Sequence, residues 1–453
     1  MTNLAPRERA VRILGRVDEE QAYANLLLQR ELQEVEDGRD RQLITLLVNG
    51  TLKNRLTLDY ALRRHLRTPL SALPHEVRWI LRISAFQLLF LSKIPAPAAI
   101  NEGVEMTKPR QGKYTGLVNG VLHKVLHDGW NIRWPNSGKE AVRYLSVRYS
   151  HPEWMVKRWL KRYGLEETEA LCQANNEPAL LWIRTNTLKV TREELLNNLQ
   201  QEGVQARLGE RVPESLILEN SGALDRLKCF QEGLFTVQDE SSQLVAHVLD
   251  PRPGERVLDS CAAPGGKTTH LAQKMKNQGE ILAFDIHPQK VGLIVQLAQR
   301  LGITIIRPQA GDARELPGIE EGSCQKVLVD APCSGLGVIR RRADLRYHKT
   351  EAEIEKLPAL QLEILNRAAQ CVAQGGELVY STCTIEPDEN FEVVKAFRKG
   401  HPEFQPVNLL DVLPFSLNEE SDIRQAKKGM LQILPHRHGM DGFFIAKFKR
   451  VEV

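Results

Sequence analysis

Three observations predict an α/β chain in which a doubly wound parallel sheet follows an all-helical region and a small α+β module. Helical periodicity runs almost throughout residues 1 to about 130, with no strand pattern. After about Gln238, short apolar runs alternate with helical stretches, and three of those runs end on aspartate. Parallel sheets of this kind bind ligands at the carboxyl ends of their strands. The 453 residues exceed one ordinary core, and a content of 42% hydrophobic and 26% charged residues is that of a folded chain.

The first region, 1–135, carries its apolar residues in helical stripes: Leu43, Leu46 and Leu47; Val77, Ile80 and Leu81; then Leu117, Val118, Val121, Leu122 and Val125. Prolines fall between the stripes, at Pro69, Pro74, Pro95 and Pro97, where helices should stop. A helical bundle is the expected result. Turn-rich Asp128 to Asn131 and Pro135 to Gly138 then form a joint. The second region, 136–237, reads as helices over His151 to Gly164 and Leu165 to Asn176. A strand at Leu180 to Arg184, a helix from Thr191 to Glu202 with Thr191 as N-cap, and a strand at Ser215 to Leu218 follow.

The third region, 238–453, opens the doubly wound pattern. Its apolar runs are Val257 to Asp259, Ile281 to Asp285, Thr304 to Ile306 and Val327 to Asp330, with helices expected over Lys290 to Leu301 and Glu351 to Ala373. The tail, Leu431 to Leu434 and Gly442 to Phe448, suits an antiparallel pair closing one edge.

Composition narrows the function classes. Seven cysteines, an odd number without a CxxC pair, point to free thiols and a reducing compartment. The arginines and carboxylates of Met1 to Glu20 are unlike a signal peptide, and the most apolar stretch, Trp79 to Leu91, contains Arg82 and is too short to span a bilayer. A cytoplasmic protein with no membrane role is expected, with no sequence sign of more than a monomer. A net charge of +4 means that binding to a nucleic acid must rest on a local patch.

Chemistry concentrates after the strand ending at Asp259. The loop Cys261-Ala262-Ala263-Pro264-Gly265-Gly266-Lys267 opens a helix at Thr268, and a glycine turn at a helix N-terminus lets backbone approach a ligand closely. Alone, it reads equally well as a tight strand-to-helix connection. Asp285 closes the next strand about 20 residues on, where a ribose-binding acid is expected. Asp312 follows the third strand and is placed to accept from an adenine amino group, and Asp330 ends the fourth. Any one of these is ordinary as a solvated loop aspartate, but three at successive strand ends make a pattern. Pro-Gly-Gly in place of GxGxxG points away from NAD and toward S-adenosylmethionine.

Cys333, in Asp330-Ala331-Pro332-Cys333, and Cys383, in Ser381-Thr382-Cys383, both follow strands of the same parallel sheet, so their thiols are expected to meet across one pocket. Cys172, Cys229, Cys324 and Cys371 read as core residues. His436-Arg437-His438 is a poor zinc half-site, and no metal is expected. Arg340-Arg341-Arg342 and Arg346 are expected at the rim of the site, placed to hold phosphates.

Together, the three spaced motifs resemble the RNA 5-methylcytosine methyltransferases of the NOL1/NOP2/Sun type, and the helical region resembles a NusB-type RNA-binding domain. The resemblance implies a Rossmann-like methyltransferase domain using S-adenosylmethionine and acting on a cytosine of 16S rRNA in a loop or opened region. It implies that Cys261, Ala262, Ala263, Pro264, Gly265, Gly266 and Lys267 wrap the cofactor. Asp285 would bind its ribose, Asp312 would lie near its adenine, and Asp330 would lie between its methionine end and the base. It further implies Cys383 as nucleophile and Cys333 as an aid to product release, so the candidate catalytic residues are Cys383, Cys333, Asp330 and Lys267. Ala343 stands where related proteins often carry proline. A non-catalytic NusB-like RNA-binding or ribosome-assembly factor is the alternative of a different class. A nitrogen methyltransferase is the nearest enzymatic rival, although a thiol has no evident task there.

Overall fold

The computed structural model describes residues 4–220 and 222–452. They form two compact units, one running to Glu177 and including Ile339–Glu351, the other holding Pro178–Val338 and the chain from Ala352 on. No helix among the described residues is long and apolar enough to cross a membrane.

The first unit is all helical: α1 (Pro6–Glu19), α2 (Ala24–Leu32), α3 (Gly38–Lys53), α4 (Arg55–Arg63), α5 (His75–Phe90), α6 (Ala96–Gln111), α7 (Thr115–Asp128), α8 (Ala141–Tyr149) and α9 (Glu153–Ala174). The stripes of α5 and α7 fill one core with Leu47 of α3, whereas Leu46 stays exposed, one position off the buried face. α5 is buried on nearly every side. Its Arg82 is tolerated there because Asp59 takes it at 2.7 and 2.8 Å in a two-pronged pair. α9 contains both helices expected over 151–176, broken at Gly164 (φ +77°).

Ile339–Glu351 comes from the middle of the third sequence region, yet it packs with the helices. Ala343 joins their core, Asp344 accepts from the Ala24 N–H, and Arg346 donates to the carbonyls of Lys53, Ser150 and Asn175 at 3.1, 3.0 and 2.9 Å. This corrects the sequence reading of Arg346 as a rim residue. Its guanidinium is wholly buried, because three main-chain oxygens can satisfy it where one solvated carboxylate cannot.

The second unit holds two sheets. The smaller is antiparallel, in the order β2 (Gln205–Leu208), β3 (Ser215–Asn220), β1 (Leu181–Thr185), β4 (Phe235–Val237). Its helix, Arg192–Gln201, starts with the expected Thr191 cap, closed reciprocally by Glu194. The larger sheet runs β10 (Phe404–Pro406), β12 (Phe443–Arg450), β9 (Val372–Thr382), β8 (Cys324–Asp330), β5 (Arg256–Asp259), β6 (Glu280–Asp285), β7 (Ile306–Ala310), with β11 (Met430–Ile433) also paired to β12. From β9 to β7 the strands are parallel, and the β10, β11 and β12 pairings are antiparallel. β12 therefore lies between β9 and β10 rather than at the rim.

Two buried polar contacts tie the smaller sheet to the helices of the larger. Arg184 of β1 donates to Gln273 (2.9 Å), Gly266 O (2.7 Å) and Thr269 (3.0 Å), all on the helix Gly266–Lys274, and to Gln238. Glu214, just before β3, accepts from His247 at 2.8 Å and from His270. Burial and the neighbouring Arg184 push His270 down to about 3, so its ring stays neutral and donates Nε2–H. Arg184→Ala would strand those acceptors, and urea unfolding should register a loss of about 2–4 kcal/mol.

Candidate active site

The loop after β5 turns at Gly265 (φ +102°), where a Cβ would stand 3.2 Å from Ile294 Cα. The left-handed turn and the close approach both ask for glycine. Gly266–Lys274 starts there, and its first side chain, Lys267, crosses to Asp330 at the end of β8, with Nζ 2.7 Å from Oδ2. Burial works against the lysine's charge, but the carboxylate outweighs it and holds the ammonium above its usual range. Ser381 at the end of β9 donates to the other Asp330 oxygen at 2.8 Å.

A hollow of about 210 Å³ lies over this edge, lined by Cys261, Ala262, Ala263, Pro264, Gly266, Lys267 and Asp330 of the residues named from sequence, and not by Gly265. Gln238 and Asp239, which had not been singled out, line it too, as does Asp259 at the end of β5. Asp285 reaches the same loop, accepting from the Ala263 N–H at 3.3 Å. Asp312 is instead engaged by Arg314 at 2.6 to 3.1 Å and is not brought to the hollow's wall. Asp259 is fully buried and bonded to Thr268 at 2.7 Å, while its Oδ1 has no partner. Burial pushes its pKa up to about 7. A glycine turn at a helix N-terminus, a lysine and carboxylates at three strand ends make a donor set that suits a cofactor carrying both ribose and amino-acid groups.

The two loop cysteines meet. Cys333 Sγ and Cys383 Sγ stand 3.3 Å apart, because β8 and β9 are neighbours with Asp330 opposite Ser381. Contact with Cys383, burial and the other sulfur's charge raise the Cys333 thiol well above its usual value. Around the pair is a buried network that the sequence did not signal. Glu389 accepts from the Ser334 N–H (2.8 Å), the Ser334 hydroxyl, Thr384 (3.1 Å) and Gln361 (2.9 Å). Gln361 also donates to Pro332 O at 3.0 Å. Gly337 donates to Cys383 O at 3.0 Å, and a Cβ on it would stand 2.0 Å from Gly442 O.

Cys172, Cys229, Cys324 and Cys371 are core residues, as read from sequence. His438 is held by Asp422 at 3.0 Å. Among the described residues, the donors spaced closely enough for a metal ion are Glu214, His247 and His270, which are not among the residues lining the hollow.

Parallel-sheet topology, a glycine loop at a strand end and paired thiols fit a Rossmann-like methyltransferase, and comparison with known proteins narrows the class. Residues 246–449 match the 16S rRNA methyltransferase RsmB/F family, 4–127 match the NusB family, and 151–225 match the RsmF/B-like ferredoxin-like domain. The chain is 41% identical to the probable ribosomal RNA small subunit methyltransferase B of Bacillus subtilis, covering 99% of this chain and 100% of that one. It is 34% identical to ribosomal RNA small subunit methyltransferase B of Pectobacterium carotovorum, covering 97% of each. The crystal structure of PH0851 superposes with a TM-score of 0.82 at 31% identity, covering 99% of this chain and all of that one. NSun6 from Pyrococcus horikoshii with SFG gives 0.59 at 26% identity, over 67% of this chain and 99% of that one. The chain belongs to the ribosomal RNA small subunit methyltransferase B family, and it is an rRNA methyltransferase whose substrate is RNA.

The geometry carries two tests. Mild diamide oxidation should join Cys333 to Cys383, read as one cross-linked peptide pair by mass spectrometry. Glu389→Ala should slow that joining and lower stability by about 2–4 kcal/mol, since several buried donors lose their acceptor. Asp259 gives a pH test. Its folded pKa lies above the ordinary 3.8, so the folded state binds the extra proton between about 4 and 7 and unfolding free energy falls as pH rises through that window. Asp259→Asn should flatten that slope, which is at most about 1.4 kcal/mol per pH unit.

Proposed function

We propose that the chain transfers a methyl group from S-adenosylmethionine to C5 of a cytosine in 16S rRNA, through a transient bond between Cys383 Sγ and C6 of the base. The observation that carries the reading is the 3.3 Å approach of two thiols beside the Lys267–Asp330 pair. Support for the cofactor comes from the strand-end donor set and from the relative with SFG, an analogue of S-adenosylmethionine. Bound there, the cofactor supplies an electrophilic methyl group. The loop Cys261 to Lys267 encloses it, Asp285 serves its ribose, and Asp312, released from Arg314, serves its adenine.

Cytosine C5 is a poor nucleophile until a thiolate adds at C6 and pushes electron density toward C5. Lys267 lies close enough to Cys383 for their charges to interact, which favours the thiolate. Asp330, gripped by Lys267 and Ser381, faces the N3 edge of the base, and the Lys267–Asp330 pair stabilises charge developing there. After methyl transfer, a base takes the C5 proton, the freed electron pair re-forms the C5–C6 double bond, and Cys383 leaves C6 as a thiolate, with Cys333 assisting that release. The reacting base must be out of its stack, so the target lies in loop or opened RNA. We read the protein as cytoplasmic, monomeric and metal-independent, with the 967-type cytosine as the position to examine first.

Bisulfite sequencing of small-subunit rRNA from cells with and without the gene should show one cytosine losing its methyl group. Unchanged methylation would leave the RNA-binding assembly-factor reading standing. Cys383→Ala should abolish transfer and form no protein–RNA adduct, whereas Cys333→Ala should accumulate the adduct, visible as a denaturant-resistant gel shift. Asp330→Asn should depress turnover far more than cofactor affinity, and equal losses would remove it from the reacting edge.

A further inference from the structure

The helical unit holds a cavity of about 560 Å³, within the range of sites that take small molecules. Arg63 and Tyr60 of α4, Trp154 of α9, and Arg346, Tyr347 and Lys349 of the Ile339–Glu351 segment form part of its wall. Nothing in the catalytic reading uses it.

Two of the three carboxylates in its wall are engaged by cations, one of which comes from outside the wall. Asp18 is paired to Arg55 at 3.1 Å and meets His75 at 3.1 Å, while Asp59 is held by Arg82. Glu153 is the remaining carboxylate of the wall. Arg63 is exposed, with its guanidinium 5.5 Å from the Tyr60 ring centre, and Arg55 lies 5.0 Å from that of Tyr347. Arg346, locked by three carbonyls, is a buried cation in the wall whose Nε has no partner. Half-buried aromatic rings interleaved with cations are what an unpaired nucleotide needs, the rings for its base and the cations for its phosphate.

We propose that this cavity binds an unpaired nucleotide of the RNA substrate other than the reacting base. The inference rests on the reading of the chain as an RNA methyltransferase and deepens it. Arg346, Tyr347 and Lys349 follow Cys333 by 13 to 16 positions on the same stretch of backbone, so the segment that leaves the Cys333 loop helps build the RNA-binding wall.

The test uses the full chain, a labelled 16S rRNA fragment containing the target loop, and a single-stranded oligoribonucleotide. Arg63→Glu with Lys349→Glu, and separately Trp154→Ala, should weaken binding of both probes about tenfold or more and lower the salt dependence of the charge variant. KM for RNA should rise, with kcat at saturating RNA, S-adenosylmethionine affinity and melting temperature nearly unchanged. Should a variant lose its fold, 4-thiouridine cross-linking of wild-type protein decides the matter, with attachment at Trp154, Tyr347 or Tyr60 expected. RNA affinity unchanged in folded variants, or cross-links confined to other surfaces, would overturn the proposal. Wild-type protein that makes no 5-methylcytosine would count against the catalytic reading alone, because the binding and cross-linking readouts need no turnover.

Discussion

One buried carboxylate sets the spacing of the two thiols. Ser334 follows Cys333 and Thr384 follows Cys383, and both donate to Glu389, so each cysteine loop is tied to the same side chain one residue past its sulfur. Gln361 ties it again, reaching both Glu389 and Pro332 O. Burial raises the pKa of Glu389, and the donors around it offset part of that cost. Each of those groups is buried, so losing the common acceptor would leave several of them unpaired at about 1–3 kcal/mol apiece. Glu389 is in this sense a structural part whose effect is read at the sulfurs.

The sheet supplies the frame on which this works. With β5, β8 and β9 adjacent and parallel, Asp259, Asp330 and Ser381 end on one edge, and the loops that follow them crowd together. Crowding is relieved by removing side chains rather than by opening the loops. At Gly337 the backbone lies against Gly442 and accepts its N–H at 2.8 Å, while its own N–H goes to Cys383 O. Any larger residue would push apart the loops that bring the thiols together.

Sequence alone conveyed the parts of the fold that depend on periodicity and on punctuation. The bundle, the two helices meeting at Gly164, the Thr191 cap and the parallel strands before Asp259, Asp285 and Asp330 all carry local signals. The strand expected at Thr304 to Ile306 lies further on, at Ile306–Ala310, because its register is fixed by pairing with β6 and an outermost strand accommodates Pro308. Phe235–Val237 and Phe404–Pro406 are too short to show a period and form by pairing with β1 and β12. At the site, the cysteines and the glycine loop were legible because reactive residues stand in recognisable strings. Glu389, Gln361 and the burial of Asp259 were not, since a buried acid or amide looks in sequence like any solvated one. Arg346 was misread for the same reason. A run of arginines suggests surface, and only the three carbonyls it meets reveal a buried anchor.

The sulfur contact also bears on how the proposed roles divide. At 3.3 Å, two thiolates would repel strongly in a partly buried setting, so the pair holds one negative charge at most near neutral pH. Contact with Cys383 and burial both raise the Cys333 thiol well above its usual value. Cys383 has Lys267 near enough to favour its negative form. The environment therefore makes two chemically identical side chains unlike, which is the division that the proposed mechanism asks for, Cys383 to attack carbon and Cys333 to assist as the sulfur–carbon bond breaks. Exchanging those proposed roles would require moving the lysine, and the Asp330 carboxylate that holds it leaves little freedom for that.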